Sequence, residues 1–108
     1  MEVSAGVFVS SVHTDTWEPD PEAGGEMHVL CSAEGVEAGL SRFTEVSGPV
    51  VWTIPERETI IVLEGRARVE IDGGPTLELK EGDITSLPRG ARTTWHLTLP
   101  FRDFWVLA

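Results

Sequence analysis

Residues 58–90 read Glu58-Thr-Ile-Ile-Val-Leu-Glu-Gly65-Arg-Ala-Arg-Val-Glu-Ile-Asp72-Gly73-Gly74-Pro75-Thr-Leu-Glu-Leu-Lys80-Glu-Gly82-Asp83-Ile-Thr-Ser-Leu-Pro88-Arg-Gly90. The apolar and alternating runs here are Thr59–Leu63, Ala67–Ile71, Thr76–Leu79 and Ile84–Leu87, and connections that contain Gly, Pro or Asp separate them. Short runs of this kind, with turn residues between them, indicate strands of a sandwich or barrel. Asp72-Gly73-Gly74-Pro75 supplies the positive-φ positions of a hairpin between two alternating strands. Lys80-Glu81-Gly82-Asp83 and Pro88-Arg89-Gly90 are further tight turns.

Outward from this stretch the pattern continues. Val7–Val12, Met27–Cys31, Val36–Val46 and Val50–Ile54 precede it, and Thr93–Leu99 and Phe101–Leu107 follow. No segment carries a long helical period, so the fold class is all-β. The 108 residues suit one domain, and a chain near this length buries roughly two-thirds of its unfolded surface. The expected division of this single domain is an N-terminal strand and long loop over 1–26 and a barrel over 27–108. Thr14–Gly25, with Pro19, Pro21 and paired glycines, is the one long connection, of the length that serves as a lid or binding loop. Val7–Val12 stands ahead of it, and an extra terminal strand can pair in its own sheet or with a neighbouring subunit.

Charge narrows the partners. There are 18 Asp and Glu against 8 Lys and Arg, a net charge of −10, which repels phosphate backbones and anionic membranes. No nucleic acid and no membrane partner is therefore expected. Nine acids and the single base Arg42 lie within residues 1–45, interspersed with apolar residues, as on a solvated acidic surface rather than a charged tail. Cys31 is the only cysteine, so an intrachain disulfide is excluded, and its apolar run favours a buried hydrophobe over a nucleophile. No basic-then-apolar leader and no run of about 20 apolar residues is present, so a cytoplasmic location is expected.

Two stretches carry a recognisable pattern. In the first, from Trp52 to Gly65, Glu58 is followed by a Gly that opens the next strand; in the second, Gly82 is followed by Pro88-Arg-Gly90 and the strand at Thr93-Thr-Trp95. Together they resemble the two motifs of the cupin superfamily. The resemblance spans about residues 40 to 107 and implies a double-stranded β-helix, a jelly-roll barrel with an interior pocket. Trp52 and Pro88–Trp95 are similar to the small single-domain branch that includes ureidoglycine aminohydrolase and ethanolamine-utilisation cupins. That branch often closes with Arg-Lys-x-Tyr, where this chain has Arg102-Asp103-Phe104-Trp105. The resemblance also implies a homodimer.

Metal-dependent cupins use His-x-His and a Glu from the first motif and a His from the second. The matching positions here are Trp52, Ile54, Glu58 and Thr93. Only Glu58 is a firm ligand, and a divalent ion needs at least three. No metal and no other cofactor is expected. His13 and His28 lie elsewhere in the chain, and strand alternation points His96 away from the side of Thr93 and Trp95.

The same alternation sends Trp52, Ile54, Glu58, Ile60, Val62, Thr93, Trp95 and Leu97 into the barrel, together with Asp103, Trp105 and Leu107. On the upstream strand it offers Leu40, Arg42 and Thr44 as one face. The expected small-molecule site therefore has Trp52, Ile54, Arg42, Thr93, Trp95, Asp103 and Trp105 around Glu58, with apolar walls and sparse polar groups. Plain core filling fits Trp52 and Trp95 equally well, and fits Trp105 better than a pocket role. Glu58, surrounded by indoles and aliphatics, has the environment that raises a carboxyl pKa and makes it a general acid or base. An ion pair with Arg42 or Arg92 would lower it instead.

Two function classes follow. One is a metal-independent enzyme of isomerase, lyase or cyclase type, moving a proton on a small, partly apolar metabolite through Glu58. The other is a non-catalytic ligand-binding or accessory cupin. A metal-dependent cupin with atypical ligands is the third arrangement the resemblance admits. The fold alone does not choose.

Overall fold

Two long strands organise the computed structural model, which describes residues 1–108. They are β7 (Glu58–Ile71) and β10 (Arg92–Leu107). Around them run β1 (Glu2–Ser4), β2 (Val7–Phe8), β3 (Glu18–Pro19), β4 (Glu26–Ala33), β5 (Val36–Phe43), β6 (Val50–Thr53), β8 (Thr76–Lys80) and β9 (Ile84–Leu87). Every regular element is a strand. β7 and β10 each join two runs that the sequence separates, because Gly65 and Pro100 bend their strands without ending them.

The corner has a steric cause. Gly65 sits at a φ of 82°, in the left-handed region where glycine is preferred. A Cβ there would lie 2.4 Å from the Pro100 carbonyl oxygen and 2.6 Å from that of Thr98. The β7–β10 register shifts twice here: Leu99, Pro100 and Phe101 stand against Gly65 alone between the Thr98 and Arg102 pairs, and Leu63 is one extra residue of β7 between the Arg102 and Asp103 pairs. Across the same point the buried positions of β7 change from Glu58, Ile60 and Val62 to Ala67 and Val69. An extra residue in one strand changes the inward parity in this way.

Each long strand thereby serves two sheets. The second half of β10 lies between β5 and the first half of β7, with β4 and β3 beyond β5, and β9 beyond β7. The first half of β10 lies between β6 and the second half of β7, which continues to β8. All pairings are antiparallel, and the two sheets face each other as a jelly roll. Phe101, Val62, Val69 and Ile54 fill the closed part of the interior. The Phe101 ring meets Trp95 edge-on and Phe43 at a tilt, geometries that aromatic pairs prefer.

The N-terminal region departs from expectation. Val7–Val12 is not one strand: the strand covers Val7 and Phe8, in a hairpin with β1 that is closed by backbone hydrogen bonds between Val9 and Met1 and is separate from the barrel sheet. The following residues lie over the outer face of β4, β5 and β10, where Phe8, Val9 and Val12 approach Leu30, Leu40 and Phe104. The barrel sheet begins before residue 27, because β3 in the long connection pairs with β4.

Candidate functional site

The open part of the barrel holds a cavity of about 750 Å³, within the range of small-molecule sites. Its walls are Trp52 from β6, Trp95, Phe101, Trp105 and Leu107 from β10, Ile60 from β7, Phe43 from β5, and Met27 and Val29 from β4. Strand alternation supplies this lining: Phe101, Asp103, Trp105 and Leu107 share one face of β10. Their partners across the β5 register are Phe43 for Phe101, Ser41 for Asp103 and Gly39 for Trp105. Gly39 leaves room for the indole: a Cβ there would come within 3.0 Å of Trp105 and 2.5 Å of the His28 carbonyl oxygen.

Three indole N–H groups are each used. Trp52 Nε1 donates to Glu58 Oε1 at 2.9 Å. Trp105 Nε1 donates to Ser41 Oγ at 2.8 Å. Trp95 Nε1 donates to Thr93 Oγ1 at 2.9 Å, and that hydroxyl donates in turn to the Trp52 carbonyl. These bonds fix the rings, so the cavity walls are set by side-chain hydrogen bonds as well as by packing.

Two carboxyl groups stand inside, Glu58 and Asp103, both buried. Desolvation raises the Glu58 pKa, opposed in part by the Trp52 hydrogen bond. Asp103 is held well above the usual carboxyl range, first by burial and then by the negative charge of Glu58, with a backbone group of Ser41 acting the other way. Asp103 Oδ1 is buried with no hydrogen-bond partner. An orphaned polar atom of this kind is costly and asks for a partner from outside the chain. At the mouth stand Asp20 and Glu22 from the long connection, Glu34 and Glu37 around the β4–β5 turn, and Glu56 ahead of β7. All seven charged lining residues are acidic.

The structure brings Glu58, Trp52, Trp95, Asp103 and Trp105 together and leaves three expected site residues outside. Arg42 points to the outer face, paired with Glu26 at 2.9 Å and lying 4.3 Å over the Trp17 ring. The inward residues of β5 are Ser41 and Phe43, not Leu40, Arg42 and Thr44. Leu40 marks the wrong face because the outer face is apolar too, beneath the N-terminal segment. Ile54 is closed into the core rather than the cavity. Thr93 lies behind the wall, its hydroxyl engaged by Trp52 and Trp95. Neither Arg42 nor Arg92 pairs with Glu58; Arg92 faces Asp72. Ser41, Phe43, Phe101 and the mouth acids are site residues that the sequence reading missed. The signal for Ser41 and Phe43 was the parity of Phe101–Leu107, carried across an antiparallel pairing.

Residues 41–103, more than half of the chain, match the EutQ-like cupin domain. The chain belongs to this family. Solved structures share this cupin's architecture. A protein of Salmonella typhimurium LT2, provisionally assigned as ethanolamine utilization protein Q, superposes with a TM-score of 0.70 at 22% identity, over 84% of this chain and 76% of its own. An RmlC-like cupin from Shewanella frigidimarina NCIMB 400 gives 0.71 at 17% identity, over 91% and 86%. The EutQ protein of Clostridium difficile gives 0.65 at 19% identity, over 81% and 64%. At these identities the likeness carries the fold. No curated protein matches the chain.

The metal of metal-dependent cupins does not fit these residues. At the four matching positions, the Trp52 N–H is spent on Glu58, Ile54 is core, and the Thr93 hydroxyl is occupied. No group of three or more His, Cys, Asp or Glu side chains is arranged to hold an ion. His28 and His96 are engaged elsewhere, His28 with Thr16 and Ser10 and His96 with Glu70.

Proposed function

We propose that this cupin binds a small, partly apolar molecule in the barrel cavity and moves a proton on it through Glu58, in an isomerase, lyase or cyclase type of reaction. The observation that carries the reading is the pair of buried acids in an aromatic cavity. Their environments separate their roles. In the empty cavity Asp103 is pushed up further and holds its proton; Glu58, whose anion the Trp52 N–H stabilises, loses its proton first and is the base. Environments that divide two nearby acids in this way are a common source of acid and base roles. The aromatic walls exclude water and strengthen each polar contact made with the ligand.

The test is a proton-exchange screen. Pools of small metabolites are incubated with the protein in D₂O, and mass spectrometry reads deuterium uptake or a new product. The expected result is at least one compound altered by the wild type and not by Glu58→Gln. Turnover that Glu58→Gln leaves at the wild-type rate would overturn the assignment. A ligand that binds and is never altered would mark the cavity as a holding site.

A further inference from the structure

The cavity has the composition of a site for a positively charged guest. Seven of its lining residues are Asp or Glu, and none of the chain's eight Lys and Arg or three His residues lines it. This is not the average acidity of the surface, because the arginines next in sequence to lining residues turn to other partners: Arg42 to Glu26, Arg102 to Glu64 and Arg57 to Ser86. Inside, no protein cation faces Glu58 or Asp103, and Asp103 Oδ1 has no partner at all. Buried carboxyl groups are ordinarily paired or hydrogen-bonded. Around them stand three indoles and two phenyl rings, whose faces attract an organic cation, most strongly when it is desolvated.

We propose that the ligand of this cavity is a small organic cation, an amine or a quaternary ammonium compound, with its charge held between Asp103 and the faces of the tryptophans. The inference rests on the proposed function for the location of the site and adds the charge class of the molecule. The mouth acids raise the local concentration of cations, a contribution that salt screens. The inner contact forms as the entering cation displaces the Asp103 proton, which leaves a carboxylate that lies out of water with its partner and is screened far less. An inorganic ion is a poor occupant, because no three ligating side chains converge. An anion would meet seven carboxyl groups and no positive charge. With a cation in place, Glu58 remains the group that takes or returns a proton on its carbon skeleton.

The test is titration of tryptophan fluorescence with three molecules of nearly one shape at constant ionic strength. They are choline, its neutral isostere 3,3-dimethylbutan-1-ol, and the anion 3,3-dimethylbutanoate. The wild type is expected to bind choline at least about tenfold more tightly than the neutral alcohol, and the anion not at all. In Asp103→Asn, which keeps the shape of the side chain, the preference for choline over the alcohol shrinks about tenfold or more. Equal affinity for choline and the alcohol in the wild type, or preferred binding of the anion, would overturn the proposal. So would an unchanged preference in folded Asp103→Asn. The wild-type comparison stands even if that variant does not fold. The two readings fail separately. Cation selectivity without any Glu58-dependent exchange defeats the proton-transfer reading alone, whereas Glu58-dependent exchange on a neutral or anionic compound defeats the cation site alone.

Discussion

Ser41 and Arg42 are consecutive residues of one strand, and they stand in opposite worlds. On the outer face, charge is answered within the chain. Arg42 meets Glu26 and the Trp17 ring, Arg102 meets Glu64 at 3.1 Å, and His28 ties Thr16 and Ser10 to the sheet. On the inner face, Glu58 has one indole N–H and Asp103 has an oxygen with nothing. The same strands build both faces, so the difference is not one of fold. The outer face is complete as it stands, whereas the inner face is satisfied only when something else enters. That contrast separates a structural surface from a binding site more clearly than residue type does, because both faces mix aromatics with charges.

The largest expected break of this contrast is Glu58→Gln. It removes the base while keeping the side chain's shape, and should lower turnover of the substrate by about 10²- to 10⁴-fold, with the circular dichroism spectrum unchanged. Gly65→Ala damages both faces at once, because it strains a left-handed position and drives a methyl group onto the carbonyls of Pro100 and Thr98. Urea denaturation should show a loss of about 2–4 kcal/mol.

Asp103→Leu acts in the opposite direction on stability. The folded-state pKa of Asp103 lies above its unfolded value, so the folded protein holds a proton that the unfolded chain releases. The stability of the wild type is then greatest below the ordinary carboxyl range and falls as pH rises towards the folded pKa. Asp103→Leu should lose this dependence and be more stable near neutral pH by about 1–3 kcal/mol, with the gap over wild type widening from pH 4 to 8 in thermal melts. It should lose ligand affinity at the same time, the trade expected of a functional rather than a structural acid. The smallest effect belongs to the outer face. Arg42→Ala removes a half-exposed ion pair and a cation–π contact, should cost about 1 kcal/mol or less, and should leave ligand titrations of the cavity unmoved.

The fold was legible because turn chemistry and alternation agree along most of the chain. The two motifs around Glu58 and Gly82 added the topology. What was not legible has a common cause. Gly65 and Pro100 read as strand ends, yet they are corners, since a residue's role there depends on which carbonyls of the facing strand approach it. Glu58, Trp52, Trp95, Asp103 and Trp105 were placed inward by their own strand's alternation. Arg42 failed because β5 has apolar residues on both faces, Leu40 outside and Phe43 inside, so its parity is fixed only by the register with β10. The acids at the mouth come from turns and the long connection, which have no period to read.

The most direct measurement is a pH titration of the side-chain carboxyl carbons of Glu58 and Asp103 by NMR, with the Trp52 indole N–H as a second reporter of Glu58. The account predicts that both carboxyl groups titrate above the ordinary range, Asp103 above Glu58, and that the Trp52 signal moves with Glu58. Titration of both groups together with the exposed carboxylates would contradict it, since the inner face would then be solvated and its acids would have no unmet demand.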